Sequence, residues 1–140
     1  MAKEKIAKEW FDKGRKDIED AEFLLDNKRA VENVSFHIHQ SIEKYLKGFL
    51  ICNGWKLEKI HDLIKLIEEA AKIDKSFACF VAPLRKITNF YYESRYPVGY
   101  EIKYTNKELR QSISQAKNLI KLIKKKINFD MSKIYHNVFD

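Results

Sequence analysis

The sequence predicts an all-α protein, an antiparallel up-down bundle of four long helices plus one short helix. Three observations carry that prediction. Apolar residues recur at three- and four-residue spacing through most of the chain. Only 4 Gly and 2 Pro occur in 140 residues, too few for an all-β domain, which needs a turn signal every ~8–12 residues. Hydrophobic residues make up 45% and charged residues 34%, a balance that suits one folded domain and rules out wholesale disorder.

The first helix is expected over residues 3–28, where Ile6, Trp10, Gly14, Ala21, Leu24 and Leu25 fall on one face. Asp17 lies in the same sector, so a carboxylate sits inside an apolar stripe. The second helix, residues 30–53, turns Val31, Val34, Ile38, Ile42, Tyr45, Leu46 and Phe49 inward, and Gly54 supplies a left-handed C-cap. At about 100° per residue, His37, Gln40, Lys44 and Lys47 form a stripe on its other side, facing solvent or a second partner surface. Residues 55–60 read as a loop, and a short third helix over 61–73 points Leu63, Ile64, Leu66 and Ile67 inward.

The fourth segment, residues 75–94, is built on Phe77, Phe80, Val81, Leu84, Ile87 and Tyr91. Pro83 inside it requires a kink or a later helix start. Pro97 and Gly99 then break the pattern, giving the chain room to cross the bundle. The fifth helix opens on Thr105-Asn-Lys-Glu108, a capping-box pattern, and continues through Leu109, Ile113, Ala116, Ile120, Ile123 and Ile127. The bundle is thus expected over 1–127, followed by a partly ordered tail at 128–140 that has no sustained period.

Composition also excludes several functions. No apolar run approaches the ~18–20 residues of a membrane span, and the charged N-terminus lacks a signal-peptide core, so a cytoplasmic protein is expected. Cys52 and Cys79 form no CxxC pair and read as small apolar side chains in a reducing compartment. On a helix His37 and His39 point about 200° apart and cannot chelate one ion. His61 and His136 have no ligand-like neighbours at useful spacing. With no HExxH, Gly-rich phosphate loop or GxSxG elbow, metallohydrolase, nucleotide triphosphatase and α/β-hydrolase activities drop out, and no metal or cofactor is expected.

The 27 Lys+Arg exceed the 20 Asp+Glu by 27 − 20 = 7 charges. Some of that excess, Arg110, Lys117, Lys121 and Lys124, shares one flank of the fifth helix, with Lys125 and Lys126 adjoining. Such a flank suits a polyanion, and equally a solvated face that complements the helix dipole. Two further charges lie against the apolar pattern. Asp17 points inward, and so does Arg95, in phase with Phe77, Leu84 and Tyr91. Because an unpaired buried ion is costly, Arg95 is expected to meet Asp17 or to reach Glu43. The pair either fixes bundle register, or Arg95 presents its fork to a phosphate.

Several segments together resemble a known family. Phe36-His37-x-x-Gln40-Ser41-x-Glu43-Lys44-x-Leu46-Lys47-Gly48-x-Leu50, then His61-Asp62-Leu63, then Ser94-Arg95-Tyr96-Pro97 looks like a HEPN domain, "higher eukaryotes and prokaryotes nucleotide-binding". Trp10, Gly14, Asp17, Ile18, Ala21 and Leu24-Leu25 extend the resemblance over about residues 5–127. It implies a bundle of four or five helices, commonly a homodimer. Prokaryotic members are often encoded beside a minimal nucleotidyltransferase, as a toxin–antitoxin pair. Many HEPN proteins are metal-free RNases that depend on an arginine followed, after four to six residues, by a histidine. Here those positions after Arg95 hold Tyr100, Glu101 and Ile102. An ordinary carboxylate, with pKa near ~4.3, is a poor general base for RNA cleavage.

The resulting expectation is a dimeric, non-catalytic HEPN protein that binds nucleotide or nucleic acid, alone or with a nucleotidyltransferase partner. Arg95 and Lys44 would contact phosphate, Tyr96 would stack on a base, and His37 or Gln40 would hydrogen-bond it, with His61 at the neighbouring loop. The same polar stripe also suits a homodimer seam. The alternatives are a metal-independent RNase using Arg95 with His61 or His37, and a purely structural interaction module.

Overall fold

Five α-helices follow one another in the computed structural model, which describes residues 2–95 and 104–127. They are α1 (Ala2–Asp26), α2 (Val31–Cys52), α3 (Leu63–Ile73), α4 (Val81–Glu93) and α5 (Asn106–Lys126), with a 3₁₀ turn at Lys75–Phe80 between α3 and α4. No strand occurs among the described residues, and none of their helices is long and apolar enough to cross a membrane. The connection carrying Tyr96, Pro97 and Gly99, and the expected tail at 128–140 with His136, lie outside the described residues.

α1 and α2 form the closest pair, because each offers a glycine where the other offers a ring. A Cβ on Gly14 would lie 2.7 Å from Tyr45 Cδ2, and one on Gly48 would lie 2.6 Å from Phe11 Cε1. Phe11 and Tyr45 themselves stack at 5.7 Å, and the Ser41 hydroxyl donates to the Gly14 carbonyl at 2.7 Å. This interlock sets the rotation of α1. Its buried face runs through Ala7, Phe11, Gly14, Ile18, Ala21 and Leu25. Ile6, expected inside, is 45% exposed, because the register follows Phe11 one position along.

α2 is the central helix and is buried on most sides, from Val34 to Ile51. Its stripe of polar residues is therefore not a free surface: Lys47 is buried against Glu43 and lies 5.4 Å from the Trp10 ring. α2 stops at Gly54, whose φ of 88° lets Gly54 N–H reach Ile51 O and Trp55 N–H reach Leu50 O. Asp62 caps α3 through Ile64 N–H at 2.9 Å. Pro83 falls in the first turn of α4, where its missing N–H has no helical acceptor, so the helix starts late and does not kink. At α5 the Thr105–Glu108 capping box is complete in both directions. Cys52 packs against the core and burial pushes its thiol up to about 11, so it is inert at neutral pH. Cys79 is exposed.

Candidate functional site

Two polar clusters project from opposite sides of α2. The first faces α1. Asp17, buried in the apolar stripe of α1, accepts His37 Nδ1 at 2.8 Å on one oxygen and Lys44 Nζ at 2.5 Å on the other. His37 and Lys44 are seven residues apart, two helical turns, so both reach the same carboxylate. This corrects the expected pairing of Asp17 with Arg95: α2 packs along α1, and its His37 and Lys44 reach the carboxylate first. Asp17, Asp20 and His37 bring three potential ligand atoms within 4.8 Å of one another. Lys44 already supplies the positive charge there, so the set does not suit a cation.

Away from Asp17, residues Ser35, His39, Glu43 and Lys47 follow along α2 at four-residue spacing, and all four are buried. Glu43 accepts Lys47 Nζ at 3.2 Å and lies 3.2 Å from Nδ1 of the exposed His61. Glu43 is thereby neutralised within its own helix, and the alternative expectation that Arg95 would reach it is also corrected. Higher in the row nothing answers. Neither ring nitrogen of His39 has a hydrogen-bond partner, nor has Ser35 Oγ, nor Thr88 Oγ1 on α4. Desolvation lowers the His39 pKa to about 4, opposed by Glu43 and reinforced by Arg95, so its ring is neutral at ordinary pH. The His39 ring instead stacks on Tyr91 at 4.2 Å and 21°.

Arg95 lies in the turn that ends α4, two residues past Glu93. It is exposed, not inward, with its guanidinium 4.5 Å from the Tyr91 ring and 5.4 Å from the Phe36 ring. Among the described residues it forms no ion pair. Glu32, Asn33, Phe36 and Arg95 line a recess of about 270 Å³. Phe36 also meets His37 edge-on at 5.2 Å, so one ring separates the Asp17 cluster from Arg95. Behind this corner Tyr104 packs on Phe90 at 3.9 Å and donates to Glu93.

The sequence candidates therefore divide. His37, Lys44 and Asp17 come together, Arg95 joins Phe36 and Tyr91, and His61 lies apart on Glu43. Gln40 is half-buried between the two faces of α2, and Tyr96 is outside the described residues. On α5, Arg110 pairs with Asp26 at 2.7 Å and Lys117 with Glu22 at 2.8 Å, while Lys121 and Lys124 are exposed. Arg110 and Lys117 of the expected basic flank are thus answered by α1 carboxylates. Sequence reasoning missed His39; its signal was the run of polar residues every fourth position from Ser35 to Lys47.

A central helix carrying polar rows toward its neighbours, with an arginine resting on aromatic rings after the fourth helix, defines a small all-α domain. A family model described as HEPN domain matches residues 7–127, and the chain belongs to that family. No curated protein and no solved structure gives a significant match.

Proposed function

We propose that this protein binds a nucleotide or nucleic acid through a phosphate at Arg95. The observation that supports this is the state of Arg95: an exposed guanidinium braced on Tyr91 and Phe36, beside a small recess, with no carboxylate partner among the described residues. An arginine held by rings keeps all five N–H donors available and loses little entropy on closing on a phosphate. His37 and Lys44 play a different part from the one their residue types suggest. Both are bonded to Asp17, so they fasten α2 to α1. Under this proposal the protein works as a homodimer, with a minimal nucleotidyltransferase as partner in a toxin–antitoxin-like pair.

The test is titration of the purified protein with mononucleotides and short RNA at low salt, compared with Arg95→Met. Loss of a charge-assisted contact predicts roughly 10- to 100-fold weaker binding and a shallower salt dependence. Thermal stability should fall by no more than ~1 kcal/mol, since Arg95 closes no ion pair among the described residues and its ring contacts are exposed. Absence of any binding by the unaltered protein overturns the proposal.

A further inference from the structure

A buried hydroxyl or imidazole without a hydrogen-bond partner costs ~1–3 kcal/mol, and native proteins rarely leave such groups in clusters. This one leaves three such side chains on α2 and α4, one of them stacked on Tyr91. Ser35 and His39 are each only 2% exposed, yet Ser35 Oγ and both nitrogens of His39 are unpartnered. Thr88 Oγ1, on α4 one turn before Tyr91, is buried and unpartnered as well. Leucine or valine at these positions would fill the same space without that cost. The atoms are also of one kind: all are uncharged hydrogen-bonding groups, and a neutral imidazole offers one donor and one acceptor.

We infer that the seam between α2 and α4 behind Tyr91 is a slot for the nucleobase of a nucleotide whose phosphate rests on Arg95. The inference rests on the phosphate-binding proposal above and adds what recognises the rest of the ligand. The slot's cover and the anion site are the same structure, since Tyr91 carries both the stacked His39 ring and the Arg95 guanidinium. A turn of the Tyr91 ring away from His39 opens the way to the imidazole while Arg95 stays on Phe36. A base entering edge-on lies in the plane of the His39 ring. Its donor and acceptor then meet the imidazole nitrogens and the Ser35 hydroxyl, while Tyr91 and Phe36 supply stacking surface. A plain phosphate or sugar phosphate reaches Arg95 but leaves the seam unanswered.

Calorimetric titration with adenosine, guanosine, cytidine and uridine 5′-monophosphates, each against ribose 5-phosphate, separates the two parts. At least one nucleotide should bind roughly tenfold or more tightly than ribose 5-phosphate, the worth of one or two buried hydrogen bonds. In His39→Leu that ratio should fall to about one while ribose 5-phosphate binding persists, which also shows that the variant is folded. His39→Gln, which keeps a donor and an acceptor, should restore the preference. A tetranucleotide that binds more tightly than its monomer marks a strand as the source of the base; equal binding marks the free nucleotide. Equal affinity of the unaltered protein for ribose 5-phosphate and all four nucleotides overturns the slot alone, as does a preference that survives in His39→Leu. Failure of every phosphate to bind overturns the Arg95 proposal and the slot with it.

Discussion

His37 and His39 stand two residues apart on α2 and live in opposite circumstances. His37 turns to α1, is partly exposed, and is bonded to a carboxylate that Lys44 also holds. His39 turns to α4, is buried, stacks on Tyr91, and has no partner for either nitrogen. The first belongs to a satisfied cluster that joins helices; the second belongs to a row that is satisfied only at its lower end, where Glu43 meets Lys47. The contrast teaches that residue type is a poor guide to availability. Lys44, a phosphate candidate by sequence, is already held by Asp17, whereas Arg95 on its rings is not paired among the described residues, and the idle groups in the interior are neutral ones.

The largest effect should come from breaking the satisfied end of the His39 row. Glu43→Leu leaves the ammonium of Lys47 buried without its carboxylate, and a loss of about 3–5 kcal/mol is expected, read from urea denaturation. A loss below ~1 kcal/mol would mean that Lys47 escapes to solvent and that the row is not a packed unit.

Next comes acid. In the folded protein His39 takes up a proton only near about 4, against 6.5 for the free side chain. Between those values the unfolded chain holds more protons. The stability tied to a neutral His39 is therefore complete above pH 6.5 and is lost as pH falls toward 4, by on the order of 3 kcal/mol. Glu43, Arg95, His61 and Asp62 all act on this group, so the measurement is the difference between the unaltered protein and His39→Leu at each pH. Parallel stability curves for the two proteins would refute the neutral, buried state of His39. At pH 7 His39→Leu should cost nothing or add a little stability, because it removes unpartnered polar atoms.

The smallest of the three losses should come from the His37 side. Asp17→Ala releases Lys44 and His37, but both are partly exposed and can turn to water. A loss of about 1–3 kcal/mol is expected in the same urea experiment. A larger loss than that of Glu43→Leu would reverse the ranking of the two sides of α2.

Much of the architecture was legible beforehand, because helices advertise themselves locally. The capping box at Thr105, the left-handed Gly54 and the stop before Pro97 are written in adjacent residues. Pro83 left two options, and the late start of α4 resolved them. Ile6 was misplaced because a stripe's angular position shifts by a whole residue when one ring finds a glycine, and Gly48 is 37 positions from Phe11.

The candidate site was legible only as a set of residue types. Periodicity showed that Asp17 and Arg95 opposed the apolar pattern; it did not show which charges would reach them. By itself the sequence determined an all-α bundle, the caps at Gly54 and Thr105 and its family resemblance, all properties of neighbours along the chain or of ordered motifs. Only the tertiary structure decided that Lys44 and His37 would occupy Asp17, that Lys47 would neutralise Glu43, and that Arg95 would rest on Tyr91 above an unanswered His39. Ion pairing and desolvation depend on distances of a few ångströms between helices, and those distances exist only after the helices have packed.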